Sequence, residues 1–138
     1  MLDCTGAFDW LTSDPAIIQE RLDWPFEGFW FACQRNHVWW PEWGNKSPIL
    51  AEQYERLREI FTAAPKLIPL IGHRYIPEDP FERDNPVLSV YGTDIICYGA
   101  NLLDWIEREL SGWHVKPLPQ IKEITFWSEA LRKNNAIP

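Results

Sequence analysis

The run His73-Arg74-Tyr75-Ile76-Pro77-Glu78-Asp79-Pro80 is the densest set of reactive side chains in this 138-residue chain, and Asn85 and Thr93-Asp94 add to it. A carboxylate beside an imidazole raises its pKa and suits it to acid–base work near neutral pH. If the two stretches pair in one sheet, His73, Arg74, Tyr75 and Asp94 would border a pocket, with Glu78 close by. The same residues also have a purely structural reading. An aspartate after a turn usually accepts from nearby backbone amides, Asn85 before Pro86 fixes a loop, and an arginine often ties neighbouring segments together through a carboxylate. Ion pairs of that kind perturb titration without serving a reaction.

No recognisable catalytic motif joins these residues. The chain has no phosphate-binding glycine loop, GxSxG elbow, HExxH pair or calcium loop. His37, His73 and His114 share no spacing suited to a metal, and Cys4, Cys33 and Cys97 form an odd, widely spaced set without a CxxC. The expectation is reduced thiols, with Cys33 and Cys97 acting as small hydrophobes inside apolar runs, and neither metal nor cofactor.

A second constellation is aromatic: Trp39-Trp40-Pro41-Glu42-Trp43-Gly44. On a strand, Trp39 and Trp40 point to opposite faces, so one of them is left for solvent, a partner or a covering loop. Trp39, Trp40 and Trp43, with Glu42 among them, fit an anchor patch for protein recognition. Alternatively, Trp43 folds over a sheet edge as a lid that protects the strand.

Composition narrows the function classes. At 46% hydrophobic and 14% aromatic, with nine Trp, the chain has ample material for a core and does not read as disordered. Its net charge of −7 repels a phosphate backbone, which argues against direct nucleic-acid binding and favours encounter with a basic protein. No stretch approaches the ~20 apolar residues of a membrane span. MLDCTGAFDW does not resemble a signal peptide, so a cytoplasmic location is expected.

These residues must be positioned by a small set of elements. Asp14-Pro15 caps a first helix, with Ile17, Ile18 and Leu22 as its stripe and Pro25 as its end. Gly28–Trp40 is rich in bulky, strand-favouring residues and suggests a hairpin turning at Arg35-Asn36. Ser47-Pro48 opens a second helix, whose Leu50, Tyr54, Leu57, Ile60 and Phe61 recur at three and four residues and which ends before Pro65. Strands are expected at 67–71, 73–76, 87–91 and 94–98, the last two joined through Gly92-Thr93. Asn101–Leu110 reads as a helix with Leu102, Leu103, Ile106 and Leu110 inward and Gly112 as its stop. Ile124–Leu131 reads as a short last helix or turn. No repeat and no linker divides the sequence. The expected fold is one α+β domain over residues 1–138, a single mainly antiparallel sheet with flanking helices.

Trp39–Gly44, His73-Arg74-Tyr75-Ile76-Pro77 and, most specifically, Asn85-Pro86-Val87-Leu88-Ser89-Val90-Tyr91-Gly92-Thr93-Asp94-Ile95-Ile96-Cys97-Tyr98-Gly99 resemble the bacterial Smi/Knr-like proteins of the SUKH superfamily. The resemblance covers about the middle two-thirds of the chain. It implies a SUKH-like fold, mainly antiparallel sheet with flanking helices. It also implies a binding protein: many members are immunity proteins that neutralise toxins, often nucleases. The group has no shared catalytic residues, so none is carried over. The functional expectation is a non-enzymatic protein-binding domain, an immunity-type antitoxin for a basic toxin. The alternative is a small enzyme or ligand-binding protein built on His73, Arg74 and Asp94, and a third option is a homodimer formed through an exposed strand.

Overall fold

The computed structural model describes residues 7–112 and 117–135, so Cys4 and His114 lie outside the described residues. Among the described residues there are four helices around one sheet, α1 (Pro15–Arg35), α2 (Leu50–Ala63), which packs on α1, α3 (Leu102–Ser111) and α4 (Trp127–Asn135), and a 3-10 turn at Pro41–Trp43. The strands are β1 (Leu67–Ile71), β2 (Arg74–Pro77), β3 (Val87–Tyr91) and β4 (Asp94–Gly99). They form an antiparallel sheet in the order β1-β2-β3-β4, so the fold is α+β with one open sheet and flanking helices.

The first helix corrects the sequence expectation twice. Asp14 caps it as predicted, its Oδ1 accepting from the Ala16 amide at 2.8 Å, and Pro15 takes the first turn. The helix then runs through Pro25 to Arg35, so 28–35 is helical and no hairpin forms. Proline inside a helix removes the amide that would bond the carbonyl four residues earlier. Here that carbonyl is Arg21's, and it accepts from the Tyr75 hydroxyl at 3.0 Å instead. A residue on β2 thus repairs the break in α1. The predicted turn at Arg35-Asn36 is the helix stop: the Asn36 and Val38 amides both donate to the Ala32 carbonyl, and His37 takes a left-handed φ of 55°.

Alternation along the strands sorts the sheet into two faces. Tyr75, Leu88 and Cys97 sit side by side, as do Val90 and Ile95, and all five are buried on the face that meets α1 and α4. Phe26, Phe29, Leu57, Ile124 and Trp127 complete that core. The opposite face carries Ile68, Arg74, Ile76, Ser89, Ile96 and Tyr98, and α3 packs against its β4 side.

How α3 packs corrects a second expectation. Trp105 and Arg108 are its buried residues, while Leu102, Leu103 and Leu110 are 44%, 66% and 55% exposed. Trp105 lies on Gly99 so closely that a Cβ there would stand 2.6 Å from the Trp105 Cβ. Glu109 accepts from Arg74 at 2.8 Å and from the Trp105 indole at 3.0 Å. Arg108 bonds Asp104 and donates to the Pro117 carbonyl. A tryptophan on a glycine notch and a set of charged bonds therefore decide the inward face, and the leucines stay outside. Asn101, expected as the first helical residue, is instead the cap of α3, its side chain accepting from the Asp104 amide, and Gly112 ends the helix as the sequence predicts. The other helices shift modestly. α2 begins two residues beyond Pro48 with Leu50 exposed, and α4 begins at Trp127, with Ile124 packed ahead of it.

Candidate functional site: an apolar groove with an acidic rim

β1, β2, the loop after β2 and the start of α3 enclose a groove of about 1140 Å³. Its apolar wall comes from Ile68, Ile76, Phe81, Leu102 and Leu103, of which Phe81 is fully exposed. Glu78, Asp79, Glu82 and Asp84 rim it, together with Arg83. The loop that carries this rim is held from within. Asn85 is buried, and its amide donates to the Pro77 carbonyl at 3.0 Å and the Pro80 carbonyl at 2.8 Å. Lys122 bonds Glu82 at 2.9 Å, the Arg83 carbonyl and the Asn85 side chain. Asn101 at the cap of α3 donates to Asp84 at 3.1 Å, linking the loop to the helix. Buried polar groups satisfied this fully fix a loop in one geometry.

The residues expected to form a pocket fall on different sides of the sheet. Tyr75 is completely buried on the core face, and burial raises its hydroxyl pKa. Arg74 is on the opposite face, bonded to Glu109 and lying 5.2 Å over the Tyr98 ring, instead of reaching Asp94. Asp94 is exposed at the start of β4, paired in register with Tyr91. The His73 ring lies edge-on to Tyr91 and Tyr98, at 6.3 and 6.2 Å. Its pKa is lowered, by burial first and then by the Arg74 and Arg21 charges. That is the reverse of the shift a neighbouring carboxylate would give.

The tryptophan run is a joint between helices, and its residues lie in an extended stretch and the 3-10 turn with no strand. Trp43 is core, 4% exposed, so it neither projects as an anchor nor lies over a strand as a lid. Trp40 stacks between Trp43 (4.8 Å) and Phe126 (5.4 Å). Trp39 meets Trp43 edge-on at 5.3 Å and donates to the Gly44 carbonyl. Trp39 and Trp40 are half-buried, and Glu42 is exposed and bonds Lys133 at 3.0 Å. Glu42's own backbone amide and then Lys133 hold its carboxyl below the usual range.

Burial pushes the Cys33 thiol up to about 11 and raises that of Cys97, which leaves both poor nucleophiles. Among the described residues, no three of His, Cys, Asp and Glu gather as a metal ion would require, and no helix is long and apolar enough to cross a membrane. Sequence reasoning foresaw Asn85 as the residue that fixes the loop, but it missed Ile68 and Phe81 and turned Leu102 and Leu103 inward. The signal within reach was the Pro77–Asn85 stretch, where an exposed Phe81 stands among five charged residues. In comparison with known proteins, no family model, no curated protein and no solved structure matches this chain.

Proposed function

We propose that this chain is a non-catalytic protein-binding domain of the immunity type, a cytoplasmic antitoxin that captures a basic toxin, with nucleases the class suggested by the Smi/Knr-like resemblance of Asn85–Gly99. The observation that carries this reading is that α3 turns three leucines to solvent beside a wide groove. Exposed apolar surface rimmed by charge is a mark of interaction sites. The net charge of −7 adds attraction for a cationic partner and speeds its encounter. The alternative, a small-molecule pocket on His73, Arg74 and Asp94, draws less support, because Arg74 is engaged by Glu109 and Asp94 stands apart on the surface.

Co-expression of the chain with the product of a neighbouring gene that by itself arrests growth should protect cells and yield a tight complex, with an on-rate that falls as salt rises. His73→Ala and Asp94→Ala should leave that complex intact. Unprotected cells and no complex would end the immunity reading.

A further inference from the structure

We propose that the groove takes up a basic amphipathic helix of the partner protein, its apolar stripe against Ile76, Phe81 and Leu103 and its lysines or arginines against the acidic rim. This rests on the protein-binding reading and narrows it to one face. At about 1140 Å³ the groove exceeds the roughly 300–1,000 Å³ of a typical small-ligand pocket. Its wall mixes aliphatic and aromatic side chains contributed by a strand pair, a loop and a helix, as grooves that receive an amphipathic helix do. Phe81 is fully exposed on a loop clamped by Asn85 and Lys122, so the loop backbone needs little ordering on binding and only the ring has still to be fixed.

Charge decides among occupants. Four carboxylates (Glu78, Asp79, Glu82, Asp84) share the rim with Arg83, and Lys122 offsets Glu82 alone. In a two-fold dimer the same patch meets itself, so a second copy would set acid against acid. An anionic lipid surface or a nucleic acid is repelled in the same way. A helix with one apolar and one cationic face satisfies both parts of the groove.

The probe is a synthetic peptide of about five helical turns (~18 residues), with Leu at helical spacing and Lys on the remaining face. It is titrated into the 15N-labelled full chain at low salt, beside a control in which Glu replaces Lys. The expected result is amide shifts centred on Ile76, Phe81 and Leu103 and at least about tenfold weaker binding of the Glu peptide. Leu103→Ser and the pair Glu78→Lys/Asp79→Lys should each weaken the Lys peptide by at least about tenfold. Both variants alter exposed side chains, and unchanged circular dichroism confirms their fold. Shifts centred on Trp39 and Trp40, equal affinity for the two peptides, or a dimer that Phe81→Ser converts to monomer would each overturn the proposal. Loss of the groove reading stays distinct from loss of the function: toxin protection that survives Leu103→Ser sinks the groove alone, whereas no protection by the wild-type chain sinks the antitoxin reading.

Discussion

His73 shows how a side chain suited to catalysis is turned to another use by its surroundings. Partial burial, the Arg74 guanidinium and the Arg21 guanidinium all oppose its protonation, and the rings it faces, Tyr91 and Tyr98, supply no anion. In the unfolded chain the imidazole titrates near its ordinary 6.5. The unfolded state therefore takes up the proton first as pH falls, and native stability declines below that pH and recovers above it. Compared at about pH 7.5 and 5.5, the urea midpoint of the wild type should fall more than that of His73→Gln. Parallel declines in the two proteins would mean the ring titrates as it does in water. Tyr75 offers the complementary case. Its hydroxyl was read as a pocket group, yet it supplies the bond that Pro25 removes from α1.

At the scale of elements, the sequence was most legible where local chemistry decides and least where distant residues do. β3, the Gly92-Thr93 turn, β4 and the Gly112 end of α3 follow from strand-favouring residues, a tight turn and a glycine stop, all read within a few positions. The interior of α1 did not, because Phe29, Trp30 and Phe31 favour strands on their own and the bond that compensates for Pro25 reaches Arg21 from a residue 54 positions further along. The inward face of α3 was equally hidden, since apolar count points to its leucines whereas Gly99, Arg74 and Glu109 select the other side. One contact tests this non-local control directly. A Cβ on Gly28 would lie 2.8 Å from the Cα of Gly92, so α1 rests on the tip of the β3–β4 hairpin, backbone against backbone. Helix propensity alone makes Gly28→Ala stabilising by about 1 kcal/mol. Steric overlap between two backbones, at the upper end of the ~1–3 kcal/mol that overpacking costs, should outweigh that gain, for a net loss of about 2 kcal/mol read as a lower denaturant midpoint. A higher midpoint would show that α1 can slide off the hairpin at little cost.

For the whole molecule, the composition foretold an aromatic core, and the surface left over explains why the groove was hard to foresee. Its wall draws on residues near 68, 76, 81 and 102–103, brought together only by the sheet and by α3 turning its leucines outward. The rings that looked available at 39–43 are instead spent on cohesion: Trp40 and Trp43 meet Phe29, which also touches Phe61, Phe126 and Trp127. Phe29 thus joins α1, the 3-10 turn, α2 and the start of α4, and it is fully buried. Edge-to-face pairs of this kind add to simple burial, and Phe29→Ala should cost about 3–5 kcal/mol, a large part of the ~5–15 kcal/mol that holds a domain together. If the chain is one cooperative domain, that loss must reach the sheet. Amide hydrogens of Val87–Tyr91, which belong to a strand that Phe29 is not part of, should then exchange faster by a factor matching the drop in urea-derived stability. Unchanged protection in β3 alongside rapid exchange in α1 would instead show that the helical layer opens by itself, and the single-domain reading would fail.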